Sequence, residues 1–268
     1  MLTGAERREP GGVRSALRVI KLGGNELDRP GWLGEWAARV AAVRGPVVVV
    51  HGGGRAITDL SARLGLPVEQ RDGLRVTTPG VAAAVEMALG GPVNRQVVAA
   101  LRRAGVDALG LSGVDGGLLA AEPLDPALGH VGRVTAVRSS LLESLLLAGL
   151  TPVVAPMAPD ASGGGLPLNV NADDAAAAIA GALGAAELLL VSDVPAVRIG
   201  DASRATLNLG EVPALVAAGS VTGGMVTKIR AAAAALAAGA RAVRIGGPDM
   251  LDSATAGTRI VTATARAA

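Results

Sequence analysis

The chain has 268 residues, half of them hydrophobic, enough to bury a sizeable core and too apolar for extended disorder. Its formal net charge is +2, and its many arginines are dispersed rather than gathered into a basic stretch, so no nucleic-acid partner is implied. With no cysteine, disulfides and thiolate metal sites are excluded.

Residues 1–14 are polar and Gly-rich and hold no apolar signal-peptide core. Residues 17–22 then read as a strand, and 31–43 as a helix with Trp32 and Trp36 on one face. A fully buried strand is expected at 46–50, with a helix over 52–64. Further buried strands are expected at 108–111, 152–155, 188–191, 242–245 and 259–262, and helices at 175–183 and 223–238. The most apolar long stretch, 175–191, follows Asp173 and Asp174 and is interrupted by Glu187, so it reads as a buried helix running into a strand rather than a membrane span. Segments 122–132, 158–167 and 197–206 are rich in Gly and Pro and read as hairpins or surface loops. Apolar strands alternating with helices predict an α/β fold, with a mainly parallel sheet covered on both faces. A soluble, cytoplasmic protein is the expectation.

The first chemical signal is a scarcity. Only two lysines occur, Lys21 and Lys228, in a chain that writes its other basic positions as arginine. Lysine is a compact point charge with rotatable donors, whereas arginine is a rigid planar fork. A site that sets a small cation against a phosphoryl oxygen resists the exchange; codon bias is the bland alternative. Lys21 ends the first strand and is followed by Gly23-Gly24. His51-Gly52-Gly53-Gly54 repeats that arrangement after the second strand and opens a helix. Glycine turns at strand ends and helix N-termini both offer N–H groups to anions. His51 reads as a residue orienting this loop, in preference to a metal ligand.

The dinucleotide pattern G-x-G-x-x-G and the Walker pattern G-x-x-x-x-G-K-[ST] are both missing from these turns. A second signal is Asn169-Val170-Asn171-Ala172-Asp173, just ahead of an alanine-rich helix. One of these polar residues is able to cap the helix, but capping needs one and not three. Asp173 could hold the two lysine ammonium groups apart. A third signal is Gly224-Met225-Val226-Thr227-Lys228, which sets the second lysine in the first turn of a helix, where the macrodipole disfavours it unless an anion binds. Ser192-Asp193-Val194-Pro195 reads as a loop at a strand end. Arg75, in Gly73-Leu74-Arg75-Val76-Thr77, is able to pair bidentately with a carboxylate, and is otherwise an ordinary surface arginine.

In this order, and together with Gly129-His130-Val131-Gly132, these pieces resemble the amino acid kinase family, most closely its members acting on N-acetylglutamate. The resemblance runs from about Val19 to Val261. It implies a three-layer αβα sandwich in which residues 1–184 bind acetylglutamate and dimerise and residues 185–268 bind ATP. It also implies ATP-dependent phosphorylation of the γ-carboxylate of N-acetyl-L-glutamate, the second step of arginine biosynthesis. By position, Lys21 and Lys228 stabilise charge on the transferring phosphoryl group, Asp173 orients both, and the amide of Gly24 donates to phosphoryl oxygens. Gly53, Gly54, Arg75, Asn169 and Asn171 hold acetylglutamate. Gly23, Asp193, Val194, Pro195, Ala196, Val197, Arg198, Val221 and Thr222 face the nucleotide. Mg²⁺ is expected on phosphates and water, with no protein-built metal site. Ala196 stands where the family usually has glycine. The segment before Arg18, with Pro10-Gly11-Gly12, and Ala256-Gly257-Thr258-Arg259 resemble the dimeric, arginine-insensitive members, so no interlocking N-terminal helix is expected. A kinase of carrier-protein-linked aminoadipate, and a non-catalytic sensor of amino acid or nucleotide, are the alternative readings.

Overall fold

The computed structural model describes residues 16–24, 26–71, 73–161, 163 and 165–262. The expectation about an N-terminal helix falls on residues 1–15 and lies outside them.

Eight strands form one twisted sheet: β1 (Arg18–Leu22), β2 (Val47–His51), β3 (Ala108–Ser112), β4 (Thr151–Ala155), β5 (Glu187–Val191), β6 (Thr206–Asn208), β7 (Val243–Gly246) and β8 (Thr258–Val261). Their spatial order is β6-β8-β7-β5-β1-β2-β4-β3. All neighbours are parallel except β7 and β8. The order divides cleanly. Strands from residue 187 onward form one half, and the earlier strands form the other. The seam lies between β5 and β1, where Lys21 pairs in register with Leu190 on one side and Val50 on the other.

Helices cover both faces. They are α1 (Trp32–Ala42), α2 (Gly54–Arg63), α3 (Pro79–Ala88), α4 (Asn94–Arg103), α5 (Ser139–Leu147), α6 (Ala172–Ala182), α7 (Val212–Ala217) and α8 (Gly223–Ala237). Alternate residues of each central strand enter opposite cores. Val19, Val48, Val50, Leu188 and Leu190 pack with α5, α6 and α8, whereas Ile20, Val47, Val49, Leu189 and Val191 pack with α1, α3 and α4. Such two-sided burial explains why these strands read as apolar runs, not as alternating ones. This is the expected αβα sandwich, and the seven strands and four helices anticipated along it lie within a few residues of their expected bounds.

The structure also adds elements the sequence reading did not resolve. Residues 122–132, expected as a hairpin or surface loop, belong to a hairpin whose strands, Leu119–Pro123 and Val131–Val137, pair antiparallel. With Leu168–Val170 and Met157–Ala158 these form a second, four-stranded sheet. Thr206, expected in a loop, begins the edge strand β6. Between α3 and α4 lies a π-helical turn, Leu89–Val93, kinked at Gly91 and containing Pro92. Arg198–Ile199 and Ala202–Ser203 form the expected hairpin.

Candidate active site

The C-terminal ends of β1 and β2 stand side by side, and each runs into a glycine turn. The two turns are stitched together where the Gly52 amide donates to the Leu22 carbonyl at 2.9 Å. Their approach leaves no room for a side chain at Gly24: a Cβ there would stand 2.6 Å from the Gly53 nitrogen and 2.8 Å from the Gly54 nitrogen. At Gly53 a Cβ would collide with Leu89 Cδ2 from the π-helical turn. Sequence therefore dictates shape here, because only glycine lets two amide-rich turns converge.

Asp173 reaches the same place from the other side of the sheet. Asn171 caps α6, its Oδ1 accepting from the amides of Asp173 at 2.9 Å and Asp174 at 3.2 Å. One asparagine thus supplies the cap, and Asp173 is left to do something else. Its Oδ1 lies 2.9 Å from Lys21 Nζ, and its Oδ2 lies 3.2 Å from Lys228 Nζ. α8 begins at Gly223, as expected, but Lys228 lies beyond its first turn, contrary to the expectation that it sits there. The macrodipole argument for an anion at its side chain is correspondingly weaker, and the shared carboxylate is the stronger one.

Lys21 and Asp173 are buried, and Lys228 is largely so. Burial alone would discharge Asp173, but the two ammonium groups outweigh it and hold its pKa below the usual carboxylate range. Burial likewise opposes the charge on Lys21, yet Asp173 more than offsets it, and Lys21 is raised. Lys228 is pushed down to about 8 by burial and by the neighbouring positive charge of Lys21, with Asp173 opposing. Of the two lysines, Lys228 is the one that releases its proton first.

Two adjoining cavities meet at Gly52, Gly53, Gly54, Gly73 and Asn171. The larger, about 500 Å³, contains Lys21, Asp173, Lys228, Gly23, Gly24, Asp193 and Val194. The smaller, about 180 Å³, contains Arg75 and Asn169 with an apolar wall that includes Ile57, Leu89 and Val131. Arg75 is anchored from behind, Nη2 donating to the Gly54 carbonyl at 2.9 Å and to Thr58 Oγ1 at 2.8 Å. Its Nη1 is buried without a hydrogen-bond partner. A buried guanidinium nitrogen with nothing to bind is costly unless a ligand arrives, so Arg75 is no ordinary surface arginine. Asn169 is set by a three-residue strand of the second sheet, and its Nδ2 donates to Thr77 Oγ1 at 3.2 Å.

Several predicted nucleotide contacts stand further off. Asp193 and Val194 line the larger cavity, with Ser192 Oγ donating to Asp193 Oδ1 at 3.0 Å. Pro195, Ala196, Val197, Arg198, Val221 and Thr222 are not among its walls. Val197 and Val221 are core residues, and Arg198 is exposed in its hairpin beside Asp201. Residues the sequence reading passed over also belong to the site. Thr58 anchors Arg75. Glu26 is buried in the larger cavity with Oε2 unpartnered, lying over Gly23 so closely that any Cβ there would strike it. Asn94, buried, contacts His51 directly. A polar residue at the start of an apolar helix face was the available signal for Asn94; nothing local marked Glu26. Among the described residues no three of His, Cys, Asp or Glu come together to hold a metal ion, and no helix is long and apolar enough to cross a membrane.

Comparison with known proteins agrees with this geometry. The sequence profile of the amino acid kinase family matches residues 16–247. The acetylglutamate kinase of Chloroflexus aurantiacus is 48% identical over 234 residues, 86% of this chain and 92% of that one. That of Roseiflexus sp. is 48% identical over 231 residues, 85% and 87% of the two chains. Among solved structures, smu.665 from Streptococcus mutans superposes with a TM-score of 0.81 at 32% identity, covering 92% of this chain and 99% of that one. Two converging glycine turns, a carboxylate shared by two lysines and likeness over nearly the whole length lead to one assignment: the chain belongs to the amino acid kinase family.

Proposed function

We propose that the chain transfers the γ-phosphoryl group of ATP to the side-chain carboxylate of N-acetyl-L-glutamate, giving an acyl phosphate and ADP on the route to arginine. The observation that carries this reading is the pair of cavities sharing one glycine turn, cationic and amide-rich on one side and holding an unpaired arginine nitrogen on the other. The name borne by relatives 48% identical over most of the chain supports the choice of acetylglutamate.

The chemistry asks little of a base. A carboxylate oxygen attacks the γ-phosphorus, a new O–P bond forms, and the bond to the bridging oxygen of ADP breaks, with no proton to remove. Catalysis is therefore positioning and charge neutralisation. Lys21 and Lys228 neutralise charge on the phosphoryl and leaving oxygens, Asp173 keeps them apart and aimed, and the amides of Gly24 and Gly53 donate to the oxygens in flight. Gly23, Asp193 and Val194 face the nucleotide, with Pro195 to Arg198, Val221 and Thr222 in the surrounding loops. Arg75, Asn169, Asn171 and Gly54 hold acetylglutamate, Arg75 by its carboxylate. Mg²⁺ would enter on the phosphates of ATP and neutralise part of their charge, and no step is routed through a protein-held metal.

The lobe before residue 185 binds acetylglutamate, and the lobe after it binds ATP. The protein works in the cytoplasm as a homodimer joined through the first lobe. In support, β3 is one of the two edge strands of the large sheet and carries exposed Leu109. Light scattering with and without L-arginine tests the dimer and its indifference to arginine. For the reaction, ADP release is measured with acetylglutamate, glutamate, aspartate and aminoadipate, and the acyl phosphate is trapped with hydroxylamine. Turnover on acetylglutamate far above the other three is expected; equal or greater turnover on another acid overturns the substrate assignment.

A further inference from the structure

The π-helical turn Leu89–Val93 and the residue that follows it meet the second glycine turn at two points. Leu89 packs against Gly53, and the residue just after the turn, Asn94, reaches His51. Insertions of this kind in helices are costly and recur at functional positions. His51 and Asn94 are both fully buried, and their hydrogen bonds form a directed chain.

That direction follows from which partners can only donate and which can only accept. Arg95 Nη2 lies 2.5 Å from Asn94 Oδ1, and a guanidinium only donates. The Val153 carbonyl lies 2.9 Å from Asn94 Nδ2, and a carbonyl only accepts. Rotating the amide by half a turn would set oxygen against oxygen and NH₂ against guanidinium, so its orientation is fixed. Asn94 Nδ2 therefore presents its remaining hydrogen to His51 Nε2 at 3.0 Å, and Nε2 must accept. The imidazole proton is left on Nδ1, which lies 2.9 Å from the Gly52 carbonyl and donates to it. Burial, the largest influence on His51, pushes its pKa down to about 4 and keeps the ring neutral. Gly110 on β3 is part of the same arrangement, since a Cβ there would collide with Asn94 Oδ1 and Arg95 Nη2.

We propose that Asn94 is a positioning residue for phosphoryl transfer, holding His51 as its Nδ1–H tautomer so that the Gly52 carbonyl is pinned and the Gly53 and Gly54 amides face the reacting group. Gly52 is then held at both ends, by His51 at its carbonyl and by Leu22 at its amide. Preorganised donors are worth most when they need not turn at the moment of reaction. Asn94 touches no substrate; it acts through His51.

This inference rests on phosphoryl transfer occurring at these turns, so the first test needs no turnover. The wild-type chain has two histidines, and nitrogen-15 NMR with a His130→Gln variant assigns His51. A neutral Nδ1–H ring is expected near neutral pH; an Nε2–H ring or an imidazolium overturns the proposal. The second test is Asn94→Asp, which keeps the shape but offers His51 an acceptor. His51 is expected to gain an Nε2 proton, and kcat to fall about tenfold or more while the KM for acetylglutamate moves much less. A folded Asn94→Asp enzyme with wild-type kcat overturns it. Should that variant fail to fold, Asn94→Ser and His51→Gln are combined. Losses in kcat that fail to multiply in the double variant support action through one relay, and losses that multiply overturn it. A wild-type enzyme inactive on acetylglutamate would sink the substrate assignment alone, since the NMR measurement reads the relay independently.

Discussion

Lys21 and Lys228, from opposite halves of the sheet sandwich, share one carboxylate: Lys21 Nζ lies 2.9 Å from Asp173 Oδ1, and Lys228 Nζ lies 3.2 Å from Oδ2 and 3.4 Å from Oδ1. The arrangement leaves the cluster one positive charge in excess, buried beside two amide-rich turns. A site like this is unfinished without an anion. Replacing either lysine by a bulkier cation disturbs both arms of the carboxylate at once, which makes geometry testable apart from charge.

Lys21→Arg and Lys228→Arg should each lower kcat by about a hundredfold or more, since charge is kept while the point-like donor is lost. Circular dichroism and thermal unfolding should show folded proteins. Near-normal turnover in both variants would remove the argument from lysine scarcity.

Arg75→Ala should act on substrate binding. Thr58 and the Gly54 carbonyl fix the guanidinium, leaving the buried Nη1 to meet a carboxylate in ground and transition states alike. The KM for acetylglutamate should rise about tenfold to a hundredfold, with kcat within a few-fold of wild type. If kcat collapses while substrate affinity, measured by calorimetry, is unchanged, Arg75 has been given the wrong role.

The sequence showed its central strands because burial on both faces removes polar residues from them, and the glycine turns because nothing else follows a strand so abruptly. Lys21 and Lys228 stood out by rarity. The span from α3 through α4 was not legible. α3 is apolar along most of its length, Glu86 being its one charged residue, and shows little amphipathic contrast, and Gly90-Gly91-Pro92 looks like a break although the chain continues through it as a π-turn. Partnership was the harder part. That Asp173 serves both lysines while Asn171 takes the cap depends on side-chain directions that spacing does not encode. Nor does spacing bring Asn94 to His51, because that contact joins elements that only tertiary packing brings together. Glu26 is a near neighbour of Gly23 in the chain, and its folding back over the glycine depends on the turn's conformation.

Gly24→Ala separates backbone approach from side-chain chemistry. The new methyl group would stand 2.6 Å and 2.8 Å from two backbone nitrogens, neither of which can yield like a flexible side chain. The turns must separate, and donors displaced by about 1 Å cost on the order of a hundredfold in rate. The expected variant is folded, binds nucleotide weakly and turns over slowly. Wild-type kcat and nucleotide affinity would show that the turns tolerate separation and that their amides are not the working donors.

The depressed pKa of Lys228 fixes the sign of a pH dependence. The protonated form is the one able to neutralise a phosphoryl oxygen, and burial together with the charge of Lys21 brings its loss down to about pH 8 in the free enzyme. Because kcat/KM reports ionisations of the free enzyme, it should be level below that pH and decline above it. Lys21, raised by Asp173, stays charged across the same range and adds no second limb. In the ternary complex the phosphates of ATP favour the charged lysine, so the alkaline limb of kcat should lie at higher pH than that of kcat/KM. An arginine at position 228 does not deprotonate in this range, so the residual activity of Lys228→Arg should lack the limb. The measurement is a pair of pH profiles, with the wild type and Lys228→Arg at constant ionic strength. An alkaline limb near pH 8 that survives in Lys228→Arg would assign the ionisation to another group.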